Sequence, residues 1–156
     1  MQWNNKYIYP KSTRSIVDGS RHYSVNEERL PSVTTILKAT ESDEKKASLQ
    51  AWKQRVGQKQ AAIITREASS RGSSMHEYLE KFLLGKLNLD LLGDNTKERM
   101  MADQIIENGL RGKLNEIWGC EATLYYPGKY AGATDCVGVY ENKETIIDFK
   151  QSNKPK

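Results

Sequence analysis

Upstream of Gly119 the apolar positions of this chain recur at steps of three and four, and downstream of it at steps of two, so the pattern predicts helices followed by strands. Met75, Leu79, Phe82 and Leu83 fall on one helix face, with Ser74 and Glu77 spaced as a capping box before them. A continuous helix running through Gly72 is the alternative, and the pattern does not choose between the two. Leu49, Trp52, Val56, Ile63 and Ile64 are broadly helical, with Gly57 weakening the middle. A further helix is expected from about Lys97 to Trp118, with Met101, Ile105, Leu110, Leu114 and Ile117 inward and Gly119 as its stop. Residues 85–96 read as a loop. After Gly119, "CEATLYYP" alternates, and two more strands are expected at 131–140 and 144–150.

Nearer the start, "KYIYP" and "RHYSV" flank Asp18-Gly19, a turn signal, and predict a small hairpin. Ser32 follows Pro31 and precedes Val33, Ile36 and Leu37, which marks it as the cap of a short helix; Thr40, Ser42 and Asp43 end that helix and open another. The expected fold class is therefore α/β in α+β order. It forms a single domain over residues 1–156, with a hairpin region at 1–30, a mainly helical stretch at 31–119 and a three-strand meander at 120–150.

Composition adds modest constraints. With 156 residues there is room for one ordinary core. The net charge of +4 is unevenly spread: residues 1–60 hold 11 Lys and Arg against 6 Asp and Glu, while the rest is close to neutral. Any electrostatic footprint for an anionic partner is expected in that N-terminal third, the other reading being a solvated surface. Cys120 and Cys136 alone cannot assemble a zinc site or an iron–sulfur cluster, and both read as buried thiols in a reducing compartment. The absence of a long apolar run and of a secretory signal leads us to expect a soluble, cytoplasmic protein with no membrane partner.

The stretch "GATDCVGVYENKETIIDFK", residues 132–150, sets charge into apolar strands. A hairpin loop centred between Glu141 and Asn142 places Asp135 directly opposite Asp148, with Lys150 two residues further on the same face. A slip by two opposes Asp135 to Lys150 and keeps all three together; only an odd slip separates them. Two opposed carboxylates repel unless a cation lies between them, and oxygen ligands with an open coordination sphere suit Mg²⁺ or Mn²⁺. Lys150 would then stand where it can orient a water or stabilise developing negative charge. The alternative is an ordinary Asp–Lys ion pair on a solvent-facing hairpin.

Together, "LPSVTTIL", "AWKQRVG", "RGSSMHEYLEKFL", "WGCEATLYY", "AGATDCVGVY" and "IIDFKQS" resemble the PD-(D/E)XK nuclease superfamily, in its RecB-like exonuclease branch. The nearest likeness is to the mitochondrial genome maintenance exonuclease family and its phage and bacterial relatives, over most of residues 30–152. The resemblance implies a restriction-endonuclease-like core. It implies Asp135, Asp148 and His76 as metal ligands, the Phe149 carbonyl as a further one, and Lys150 as the catalytic lysine. Glu121 is implied as a supporting acidic residue, and Gly72 as a point of close approach by substrate or a neighbouring element. Ser32, Thr34, Thr35 and Arg71 are implied as phosphate contacts, although Ser32 reads equally as a helix cap.

Relatives bearing an iron–sulfur cluster use four cysteines, so no such cluster is expected. The family continues past the lysine into a helix with a Gln-x-x-x-Tyr motif and a further strand, whereas here six residues follow Lys150. A truncated core is therefore expected, its sheet covered by self-association, element exchange or a partner segment. The reading is a metal-dependent DNA exonuclease that hydrolyses phosphodiester bonds and prefers single-stranded DNA, acting in replication, repair or recombination. The alternatives are an inactive DNA-binding fragment of such an enzyme and a small-molecule metal hydrolase.

Overall fold

The computed structural model describes residues 1–86 and 96–152. Its elements are β1 (Gln2–Trp3), β2 (Ser12–Val17), β3 (Ser20–Val25), β4 (Glu28–Pro31), α1 (Val33–Ala39), α2 (Asp43–Val56), α3 (Gln58–Leu83), α4 (Lys97–Ile105), a π-turn (Ile106–Leu110), β5 (Leu114–Tyr126), β6 (Tyr130–Tyr140) and β7 (Lys143–Ile147). They form two sheets, ordered β1-β5-β6-β7 and β2-β3-β4, among the described residues. This is the α+β class that the change of period predicts. The chain divides into two compact units: a first of Met1–Ile8, Ala68–Ala122 and Thr134–Lys156, and a second of Tyr9–Glu67 and Thr123–Ala133.

The first unit is built on the second half of α3. Met75, Leu79 and Leu83 bury one stripe of that helix, as their spacing requires, in a core with Ala102, Ile106, Leu110, Leu114, Ile117, Cys136 and Phe149. Helix α3 runs unbroken through Gly72 and Ser74, so the continuous helix holds and Ser74 is not a cap. The helix expected from Lys97 to Trp118 ends at Leu110 and a strand begins at Leu114. Gly112, at φ +73°, reverses the chain there. Leu114 and Ile117, whose three-residue step mimics a helix face, are instead buried positions of an irregular strand. Against that strand Gly138 of β6 lies so close to the Glu116 carbonyl that no Cβ fits.

Two further features escaped the pattern. Strand β1 adds in parallel to β5, pairing Gln2 with Glu116 and Trp3 with Ile117. Glu121, at φ +49°, kinks β5 in mid-strand. The β6–β7 hairpin closes on Glu141 and Asn142, both at positive φ as a type I′ turn demands. Its ladder pairs Tyr140 with Lys143 through to Cys136 with Ile147, the register expected from the sequence. Strand β7 stops at Ile147, three residues short of the expected end.

The second unit holds the β2–β3 hairpin, whose Asp18-Gly19 turn is as expected. Its first strand is Ser12–Val17 rather than "KYIYP", because Pro10 lacks the N–H a ladder needs. Tyr7 instead packs edge-on against Trp118 in the first unit, with Lys6 over the same indole. A third strand, β4, follows a turn at Asn26-Glu27, both at positive φ without the glycine that usually announces one. Ser32 caps α1, and Ser42 caps α2 with Asp43 and Glu44 in its first turn and Lys53 and Arg55 in its last. Gly57, at φ +86°, ends α2 and separates it from α3. Tyr23, Val25, Leu30 and Ala131 form the core. Most of the loop expected at 85–96, and the last four residues of the polar tail, lie outside the described residues.

Candidate functional site

The expected ligands lie within the first unit, where α3 faces the open end of the β6–β7 hairpin. The ladder ends at Cys136 and Ile147, and Asp135 and Asp148 are the next residues on the two chains. Beyond Ile147 the ladder is replaced by a side chain, since Asp135 Oδ2 accepts the Phe149 amide at 2.7 Å. The aspartate thus terminates the strand pairing and fixes the chain on which Lys150 is carried. Phe149 itself is buried in the core, which anchors the segment, whereas Lys150 is 80% exposed.

His76 reaches the same point from α3. Its Nδ1 lies 2.7 Å from the Gly72 carbonyl, one turn back on its own helix. Its Nε2 lies 2.8 Å from the Phe149 carbonyl and 3.2 Å from Asp135 Oδ2. Burial disfavours the charged ring, but the Gly72 carbonyl, the Asp135 carboxylate and the Phe149 carbonyl outweigh it and hold the pKa above the ordinary histidine value. Both ring nitrogens face oxygen atoms, the Gly72 carbonyl at Nδ1 and the Phe149 carbonyl and Asp135 carboxylate at Nε2, which favours the charged ring.

His76 Nε2, Asp135 Oδ2 and the Phe149 oxygen are the groups that would face an oxygen-preferring divalent ion at this point. Among the described residues no group of three or more His, Cys, Asp or Glu side chains is ready-made to hold a metal. The preformed donors are two side chains and one carbonyl, His76 Nε2, Asp135 Oδ2 and the Phe149 oxygen. The Nδ1 contact to a backbone carbonyl is the support that a ligating histidine ordinarily has, leaving Nε2 to bind once its proton leaves. Asp148 lies beside Asp135, and its Oδ2 is held by Lys150 Nζ at 2.8 Å.

The carboxylates are electrostatically unequal. Burial raises the Asp135 pKa, and the neighbouring Asp148 adds to the rise, against the Phe149 amide and His76. Asp148 is lowered: burial opposes its charge, but the hydrogen bond to Lys150 overcomes that. Glu121 on the β5 kink still reaches solvent, yet partial burial and the charges of Asp135 and Glu80 push it up to about 7. Glu80 was not anticipated, though its place four residues after His76 on one helix face was a usable signal. Burial pushes the Cys120 and Cys136 thiols up to about 12 and about 11, so neither supplies a thiolate.

The expected phosphate contacts divide between the units. Arg71 and Gly72 lie on α3 in the first unit, and the Gly72 position is approached by the side chain of Gln151. Ser32, Thr34 and Thr35 lie in the second. Ser32 is 1% exposed, and its Oγ contacts the Thr35 amide and the hydroxyls of Thr34 and Thr35. Its hydroxyl is thus committed to the cap. Thr34 and Thr35 line a groove of about 620 Å³ with Ile16, Ser20, Arg21 and Lys38.

No protein-family model matches the chain. It is 33% identical over 135 residues to mitochondrial genome maintenance exonuclease 1 of Xenopus tropicalis, covering 81% of this chain and 37% of that protein. Against the Mus musculus protein of the same name the identity is 33%, over 81% of this chain and 38% of the relative. With the Homo sapiens protein it is 30% over the same shares. The chain spans less than two fifths of the length of these relatives.

Proposed function

We infer that this chain carries the catalytic centre of a metal-dependent DNA exonuclease of the PD-(D/E)XK type, in the RecB-like branch, which hydrolyses phosphodiester bonds and prefers single-stranded DNA. The observation that carries the reading is the convergence of His76 Nε2, Asp135 Oδ2 and the Phe149 carbonyl on one point beside Asp148 and Lys150. The relatives named as exonucleases support it.

In this reading His76, Asp135, Asp148 and the Phe149 carbonyl hold Mg²⁺ or Mn²⁺, which when bound supplies Lewis-acid stabilisation of charge on the phosphate. The Gly72 carbonyl holds the His76 ring through Nδ1 and leaves Nε2 for the site. Lys150, paired with Asp148 at 2.8 Å and largely exposed, would present its ammonium to the attacking water and to the oxygen on which charge develops. Glu121 adds a carboxylate at the border of the site. The basic second unit, with Thr34, Thr35, Arg21 and Lys38, tracks the backbone of the strand.

The pairing of Asp135 with His76 and of Asp148 with Lys150 favours one second reading, a DNA-binding protein without turnover. Labelled single- and double-stranded DNA incubated with Mg²⁺ or Mn²⁺ separates the two. The wild-type chain is expected to cleave, and Asp148→Ala and Lys150→Ala are expected to bind without cleaving. Cleavage that survives in both variants overturns the site assignment, and binding without cleavage by the wild type selects the second reading.

A further inference from the structure

Gln151 has no place in the expected ligand set, yet its side chain turns back onto α3, where Nε2 donates to the Ala68 carbonyl. A carbonyl accepts and cannot donate, so the orientation of the amide is chemically determined and leaves its buried Oε1 without a hydrogen-bond partner. The approach depends on Gly72. A Cβ there would stand 3.2 Å from Gln151 Nε2, a tight contact that the amide could meet only by shifting a few tenths of an ångström.

Ala68, Gly72 and His76 follow one another at four-residue steps along one face of α3. Three successive contacts lie on that face: the Ala68 carbonyl with Gln151, the Gly72 carbonyl with His76 Nδ1, and His76 Nε2 with the Phe149 carbonyl. The chain is therefore pinned to one rigid helix at residue 149 and again at residue 151. Lys150 lies between the two pins, with Asp135 fixing the Phe149 amide from the other side.

We propose that Gln151, admitted by the missing side chain of Gly72, is a positioning residue that sets the direction of Lys150 toward the site. The proposal rests on the reading of Lys150 as the catalytic lysine. Misplacement by about 1 Å is enough to cost on the order of a hundredfold in rate. Gln151→Ala is accordingly expected to lower kcat about 10- to 100-fold with KM for DNA within about twofold. Hydrogen exchange at the Phe149 and Lys150 amides, followed without metal or DNA, is expected to quicken at least about tenfold.

Gly72→Ala, which requires the Gln151 amide to shift by a few tenths of an ångström, should reproduce both losses in part. In the Gln151→Ala background the same substitution should cost nothing further, and should raise the thermal midpoint because alanine replaces glycine in a helix. Unchanged exchange and kcat in Gln151→Ala overturn the clamp, as do losses from Gly72→Ala that persist in full in the double variant. Because exchange needs neither activity nor metal, faster exchange with an inactive wild type keeps the clamp and sinks the nuclease reading instead.

Discussion

The two units of this molecule treat charge in opposite ways. The first holds 12 Lys and Arg against 13 Asp and Glu and forces unlike and like charges into contact: His76 on Asp135, Asp135 beside Asp148, Lys150 on Asp148. The displaced titrations of His76, Asp135, Asp148 and Glu121 all belong to it. The second holds 12 basic against 7 acidic residues and keeps Arg21 and Lys38 along an open groove with hydroxyls between them. Chemistry on a phosphate requires charges held where they repel, so that an ion or a transition state relieves them. Holding a polyanion requires only positive charge accessible to its backbone. Under the proposed function, rate would therefore come from the first unit and affinity from the second.

The sharpest break of that division is Asp135→Ala. It removes the partner of His76 and the acceptor of the Phe149 amide together. Cleavage is expected to fall on the order of 10³-fold with DNA affinity changed less than about threefold. Affinity lost in proportion to rate, measured by single-turnover kinetics beside anisotropy titration, would show that binding too depends on the carboxylates. Gly138→Ala tests the frame beneath the site. A Cβ would overlap the Glu116 carbonyl of the neighbouring strand, which cannot rotate away as a side chain can. A loss of about 3 kcal/mol or more in urea-denaturation stability is expected.

Ser32→Ala is the counterpart in the second unit. Its buried hydroxyl caps α1 and joins the Thr34 and Thr35 hydroxyls, and removing it should cost about 1–2 kcal/mol. That substitution should leave kcat at saturating DNA unaltered. A fall in kcat would tie this cap to the chemistry and blur the division.

How much of this was legible in the sequence depended on whether local pattern or long-range packing decided the element. The Ser32 and Ser42 caps, the Asp18-Gly19 turn and the register of the β6–β7 hairpin follow from neighbours within a few residues, and all are present. The strand at Leu114–Gly119 was hidden, because Leu114 and Ile117 carry a helical step and only Gly138 packing on Glu116 explains their irregular strand. Strand β1 was equally hidden, since a two-residue parallel pairing leaves no periodic trace. Of the expected site residues, Asp135, Asp148 and Lys150 stood out through their spacing and His76 only through the resemblance. Glu80 and Gln151 did not, because their positions matter only once α3 lies beside the end of the hairpin.

The pH dependence of stability sharpens the contrast from the side of the first unit. Glu121 titrates near 7 in the folded chain against an ordinary 4.5, so between those values the folded state binds the extra proton and stability falls as pH rises. His76, also raised, acts in the same direction: its stabilisation is complete below its ordinary 6.5 and is lost as pH rises through its higher folded value. The thermal midpoint should decline from pH 5 to pH 8, and Glu121→Gln should flatten the lower part of that decline. An unchanged profile in the variant would remove Glu121 from the strained set.

The smallest expected effect belongs to the second unit, and it is the one that tests its role. Arg21 and Lys38 line the groove with Thr34 and Thr35, near the short helix that Ser32 caps. Each contact between a cation and a backbone phosphate contributes about 0.7 to the slope of log affinity against log salt on a single strand. Replacing both residues by alanine should therefore reduce that slope by about 1.4 and weaken binding several-fold at moderate salt, with kcat at saturating DNA preserved. Equal weakening at all salt concentrations would mean that the two side chains support the groove rather than meet phosphates. A fall in kcat would instead mean that the groove sets the position of the scissile bond, and the separation of affinity from rate would fail on the side where charge is least strained.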